Sequence, residues 1–176
     1  LDAGIISPLL KALNIDMDVV KSHVSVGLGD DIIDIENVDS LQIYRELLEK
    51  HYPDSREDIA GVMKVIRRIM KHMNVLYGVQ NPVMIDLMRE KKFLFTALLP
   101  WLPKFLITLP KINRMDMPVE TYLETLVDDR SLRDILSQHF FRNTPTFFAL
   151  SYFTLYLNYF YPKEGVGTLA TKIEKR

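Results

Sequence analysis

Cysteine is absent from the 176-residue chain. Without a thiol, this segment has no disulfide scaffold, zinc ribbon, iron–sulfur ligand set or cysteine nucleophile. That absence leaves the compartment open, with the cytoplasm favoured. An excess of one charge is also missing. Lys and Arg number 22 against 23 Asp and Glu, a net charge of −1, so no global field selects nucleic acid or an anionic bilayer as the partner. Histidine is scarce: His23, His51, His72 and His139 include no pair at the i, i+3 or i, i+4 spacing that puts two ligands on one helical face. They read as ordinary surface or half-buried imidazoles. The chain also lacks internal repeats, Gly/Ser linkers, a Walker lysine loop, a nucleophile elbow and a complete GxGxxG motif. No stretch of it is a self-sufficient active site.

Hydrophobic residues make up 48% of the chain and charged residues 26%, the balance of a chain that folds around a core. It opens on Leu1-Asp2-Ala3-Gly4, with no charged, then apolar, leader pattern, and stops within the helix-like Ile173-Glu174-Lys175-Arg176. Both edges read as cuts, so the expectation is an excised part of a larger protein. Residues 5–14 predict a short helix with Ser7 as N-cap and Pro8 at its first position. Alternation over His23–Leu28 and Ile32–Ile35, broken at Gly29-Asp30-Asp31, predicts a β-hairpin. Two strands alone are marginal in water, so the hairpin is expected to join a sheet supplied by other segments.

Beyond Asp39 the periodicity is helical. Leu41, Tyr44, Leu47 and Leu48 share one face, and Pro53 ends that helix. Ser55-x-x-Asp58 opens a long helix in the manner of a capping box. Its apolar stripe is Ile59, Val62, Met63, Ile66, Ile69, Met70 and Met73, and Gly78 closes it. Arg67, Arg68, Lys71 and His72 form a basic face, read first as a solvated surface and otherwise as a phosphate or membrane contact. Helices are further expected from Pro118 to Leu126, from Ser131 onwards, and from Thr144-Pro145 to about Asn158. Asp30-Asp31 and Asp128-Asp129 are adjacent carboxylates whose side chains point apart, which suits turns and caps rather than acid/base work. The fold class is mainly α with a small β-hairpin element. Three stretches follow: 1–36 with the short helix and hairpin, 37–161 as a helical binding region, and 162–176 as a glycine turn and the start of a helix.

Two segments exceed this ordinary reading. Phe93–Leu109 carries a single charge, Lys104, and is broken into short pieces by Pro100 and Pro103. It is either a buried helix pair or an exposed apolar patch, with Phe95, Trp101 and Phe105 dipping into a membrane surface or closing over an apolar ligand. Thr144–Tyr161 has no charge and eight aromatics. At helical spacing Phe148, Tyr152, Tyr156 and Tyr159 form one aromatic face. Such a face suits a core helix or the wall of a tunnel for an apolar ligand better than it suits lipid.

After that helix comes Tyr161-Pro162-Lys163-Glu164-Gly165-Val166-Gly167-Thr168-Leu169. It resembles the "YPxGG…L…L" segment of the phytoene desaturase, carotenoid isomerase and retinol saturase group of FAD-dependent oxidoreductases. Leu1-Asp2-Ala3-Gly4 resembles the "fDxG" segment of the same proteins, and Ser131-Leu132-Arg133-Asp134-Ile135-Leu136 resembles their "LRxxL" helix. The three occur in the family's order and spacing across essentially the whole chain. Where the family has two adjacent glycines, this chain has Glu164-Gly165, with Gly167 two residues on.

The resemblance implies the helical substrate-binding region of a flavin amine-oxidase-like fold, without its dinucleotide-binding part. Asp2, Gly4, Tyr161, Pro162, Gly165 and Gly167 would then lie toward FAD, and FAD would be held only by the larger protein. Phe148, Tyr152, Tyr156 and Tyr159 would face a long apolar substrate such as an isoprenoid or carotenoid. No metal and no nucleic acid are implied. The expected location is the cytoplasm, with a membrane surface as a peripheral partner. The competing expectation is a non-catalytic helical module that binds a lipid, a membrane surface or a partner helix through 93–109.

Overall fold

The computed structural model describes residues 6–79, 85 and 90–175, with residues 6–8 by backbone alone. The chain is mainly helical, with two small antiparallel β-pairs among the described residues, and is arranged in two compact units. Unit 1 takes residues 1–22, 74–108 and 159–176, and unit 2 takes 23–73 and 109–158.

Unit 2 holds the core. Helix α2 (Ser40–His51) buries Leu41, Tyr44, Leu47 and Leu48, one face at helical spacing. Helix α3 (Arg56–Leu76) buries Ile59, Val62, Met63, Ile66, Ile69 and Met73, the expected stripe, with Val65 added and Met70 left half-exposed. Helices α6 (Val119–Glu124) and α7 (Arg130–Ser137) close on them with Val119, Leu123, Leu132 and Leu136. The carboxylate of Asp129 accepts from the N–H of Leu132, 2.9 Å away, and so caps α7. Its neighbour in sequence, Asp128, offers its N–H to the carboxylate of Asp58 at 3.0 Å. Asp58 is therefore turned to a neighbouring loop instead of back to the start of α3, and the expected capping box gives way to a short 3₁₀ turn, Pro53–Ser55.

Strands β2 (Val24–Leu28) and β3 (Asp31–Ile35) form the predicted hairpin. Gly29 supplies the positive φ of 60° that a two-residue turn needs at its first position. The hairpin does not join a larger sheet: among the described residues it pairs only with itself. Helix α2 supports it instead. Lys50 Nζ and His51 Nε2 reach the carboxylate of Asp31 at 2.7 and 2.8 Å, and Ile35 is buried. Those two hydrogen bonds, Lys50 first, hold the Asp31 carboxyl below its ordinary pKa.

In unit 1, α1 (Ile6–Ala12) is the predicted first helix, with Ser7 and Pro8 inside its first turn rather than before it. Strand β1 (Val19–Lys21), a segment without a sequence signal, pairs antiparallel with β4 (Phe160–Pro162), in register Val19↔Pro162 and Lys21↔Phe160. Two further bonds extend the ladder, from Ser22 N–H to the Tyr159 carbonyl at 2.9 Å and from Lys163 N–H to the Asp18 carbonyl at 3.0 Å. Helix α10 (Gly167–Glu174) follows β4. Gly78, past the end of α3, is required by crowding: a Cβ there would lie 2.6 Å from the Asn74 carbonyl oxygen.

Pro100, Pro103 and Pro110 do not break their segment. It runs from α4 (Lys91–Phe93) through a π-helical turn (Leu94–Leu98) into α5 (Leu99–Asn113). The proline nitrogens cannot donate to the carbonyls four residues back. The wider turn takes up part of the mismatch, since the Leu99 N–H bonds the Leu94 carbonyl five residues earlier. The aromatic stretch departs from expectation in the opposite sense. It is two short helices, α8 (Thr146–Ala149) and α9 (Tyr152–Leu157), and residues 159–162 leave the helix for β4.

Candidate functional site: an aromatic–histidine cluster, a glycine turn and an exposed apolar helix

The residues singled out in the sequence fall into three groups. In unit 2 the break between α8 and α9 divides the expected aromatic face. Phe148 is 57% exposed, whereas Tyr152 is fully buried against Tyr44 of α2, ring centroids 6.5 Å apart and edge to face. Beside them sits His139, from the loop after α7, stacked on Tyr152 at 4.0 Å. Its Nε2 lies 3.3 Å from the Tyr44 hydroxyl and its Nδ1 3.0 Å from the hydroxyl of half-buried Tyr156. A neutral imidazole matches this pair of partners, with one nitrogen donating and the other accepting.

Burial pushes the His139 pKa down to about 4 and lifts Tyr44 to about 12. Tyr152 rises as well, first by burial and then by the nearby Tyr44 hydroxyl, and its own hydroxyl is buried without a well-formed hydrogen bond. Periodicity identified Tyr152 and Tyr156. It offered no sign of His139, which depends on a contact spanning 95 residues to Tyr44.

In unit 1, Tyr161 and Pro162 lie in β4, and Gly165 follows in the turn to α10. Gly165 has φ of 90° and open space where a Cβ would stand, so its backbone conformation, not crowding, calls for glycine. Gly167 opens α10, also into open space, and Tyr159 is 52% exposed. Around this turn Lys163 Nζ pairs with Asp18 at 3.4 Å, and Lys172 Nζ donates to the Asp16 carbonyl at 2.6 Å. A void of about 30 Å³ beside Met17, Pro162 and Thr168 has room for about one water. Asp2 and Gly4 lie outside the described residues.

The third group is the helix 91–113, the one helix among the described residues long and apolar enough to cross a membrane. Its apolar side chains are almost all outside the core. Phe95 is 64% exposed, with Leu106 and Ile107 at similar levels, while Trp101 and Phe105 are half-buried. Those two rings stack at 4.6 Å, and the Trp101 indole N–H donates to the Val75 carbonyl at 2.6 Å. Trp101 anchors the helix, and the exposed face belongs to Phe95, Leu102, Leu106 and Ile107. Lys91, Lys92, Lys104 and Lys111 are the charged residues of this stretch, which holds no Asp or Glu.

At the far end of α5, His72 of the basic face is held below its ordinary pKa by desolvation and by Lys111 and Arg68. Among the described residues no cluster of His, Asp and Glu has the arrangement of a metal site. No family model, no curated protein and no solved structure matches this chain.

Proposed function

We propose that this chain is the substrate-binding part of an FAD-dependent oxidoreductase, akin to phytoene desaturases, that acts on a long apolar isoprenoid-like substrate. The observation that carries the reading lies in unit 1. Residues 19–21 are joined there by the β1–β4 pair to residues 160–162, within the Tyr161–Leu169 segment that carries one of the three resemblances and the strand that leads into it. Yet among its described residues only one apolar side chain, Ile15, is buried. Val20, Tyr159, Phe160, Tyr161, Val166 and Ile173 stand exposed around that pair and the Gly165 turn. Exposed apolar side chains over a unit with so little core of its own are what a docking face for another domain presents. A flavin domain is the occupant that the resemblance suggests.

FAD would supply the redox chemistry by accepting hydride from the substrate. The chain's own residues would supply shape and exclude water. The positive-φ Gly165 turn would let backbone approach the cofactor closely, and the exposed face of 91–113 would meet the apolar substrate or the lipid that delivers it.

The test is flavin absorbance of the whole protein that carries this chain, followed by bleaching of the flavin, without air, on addition of a solubilised polyene. Bleaching that is lost in Gly165→Val, with the helical circular dichroism kept, supports the reading. A colourless whole protein overturns it. The second reading, a lipid-binding module without catalysis, rests on the acid-free, lysine-flanked exposed face of 91–113. It is favoured if the colourless protein sediments with anionic vesicles.

A further inference from the structure

Unit 2 contains a polar cavity of about 390 Å³ between α6, α7 and the loop that follows α7. Its walls carry both signs of charge. Glu120 and Glu124, one turn apart, line it from α6, while Arg130 and Arg133 line it from α7 and Arg142 from the loop. Asp134 of α7 adds a carboxylate on the arginine-bearing helix, so three guanidinium groups and three carboxylates line the cavity. Mixed charges on neighbouring helices ordinarily close into ion pairs. Here they do not: none of the ion pairs seen among the described residues joins any of these six side chains.

Two side chains are committed in ways that keep the cavity open. Arg133 Nη1 donates to the carbonyls of Val127 and Asp128, at 3.0 and 3.2 Å, which leaves its remaining N–H groups for other partners. Glu120 accepts the Asn143 N–H on Oε1 at 3.1 Å and so holds the loop carrying Arg142, where Asn143 has a left-handed φ of 61°. The second oxygen, Oε2, is buried without a hydrogen-bond partner.

We propose that this cavity binds a small zwitterion that carries a phosphate and an ammonium group, of the phosphoethanolamine kind. The guanidinium side suits a tetrahedral oxyanion, which three forked donors recognise better than one. The Glu120 and Glu124 side suits the ammonium, with the exposed Glu124 carboxylate as its acceptor. The equal numbers of the two charges disfavour a polyanion, which would meet as much repulsion as attraction. The site lies wholly within unit 2 and does not depend on the flavoprotein reading.

The probes are O-phosphoethanolamine, inorganic phosphate and ethanolamine, each titrated calorimetrically into the whole chain. Vesicles with and without phosphatidylethanolamine form a separate arm. The expected result is saturable binding of phosphoethanolamine at least about tenfold tighter than phosphate, with little binding of ethanolamine. Arg142→Gln and Arg130→Gln, both at exposed positions, should weaken it by about tenfold or more each. Glu124→Gln should narrow the preference over phosphate without releasing the Asn143 loop. Binding of the free compound identifies a soluble ligand. Binding only to phosphatidylethanolamine vesicles, lost in the two arginine variants, identifies a lipid headgroup. Phosphate bound as tightly as phosphoethanolamine overturns the proposal, as does the absence of a saturable response to both the free compound and the vesicles.

Discussion

Protonation of His139 should be coupled to the stability of unit 2, and the size of the coupling follows from its surroundings. The ring is stacked on Tyr152 and bracketed by the hydroxyls of Tyr44 and Tyr156, and burial takes its pKa from 6.5 to about 4. The unfolded chain, with the ordinary value, therefore binds more protons than the folded one between those two pH values. Stability from the neutral ring is complete above about pH 6.5 and is lost progressively as the pH falls toward about 4. The whole difference corresponds to about 3 kcal/mol, of which about 2 kcal/mol is gone near pH 5.

Replacement of His139 by Phe keeps the stacking and removes the titration. At neutral pH the variant should be less stable by about 1–3 kcal/mol, because the buried Tyr44 hydroxyl loses its partner. Near pH 5 that deficit should shrink by about 2 kcal/mol, because only the wild type still has an unfavourable proton uptake. Urea unfolding of both chains at the two pH values, followed by the near-ultraviolet dichroism of the tyrosines, measures the difference. All other titrating groups are common to both chains and cancel. An equal deficit at the two pH values would refute the buried, neutral His139.

Trp101→Ser should cost about 2–4 kcal/mol in unit 1, from the indole hydrogen bond to Val75, the Phe105 stacking and the lost buried area, whereas Ile107→Ser should stay within about 0.5 kcal/mol and reduce sedimentation with anionic vesicles. Chemical denaturation and a vesicle spin assay separate the two effects, and equal destabilisation by both changes would mean that Ile107 is core. Gly78→Ala places a methyl carbon against the Asn74 carbonyl and should lower stability by about 1–3 kcal/mol in urea unfolding, with no loss counting against the backbone described for the end of α3. Gly165→Val should cost about 1–3 kcal/mol through its φ of 90°, while Gly167→Ala, at a helical position with open space, should be neutral or slightly stabilising in thermal melts.

Local chemistry read directly from the residues is borne out where the determinant is near in sequence. The stripe of α3 needs only a 3.6-residue period, the 24–35 hairpin needs alternation and Gly29, and the stop at Gly78 needs only its neighbour Asn74. Asp129 likewise caps the helix it immediately precedes.

Tertiary structure decided the rest, because the partners are distant and carry no periodic signal. Three-residue strands are too short to announce themselves, so β1 and β4 exist only because residues 19–21 and 160–162 meet. The same meeting ends the aromatic helix before Tyr159. Apolarity told that 93–109 would avoid water or seek an apolar partner, but not which of its faces the fold would leave uncovered. Trp101 went inward because its N–H found the Val75 carbonyl, and Leu106 and Ile107 stayed outside. His139 reads in sequence as one of four unremarkable imidazoles. Its distinct behaviour arises from enclosure by Tyr44, Tyr152 and Tyr156, and desolvation is a property of the packed surroundings that no stretch of neighbouring residues encodes.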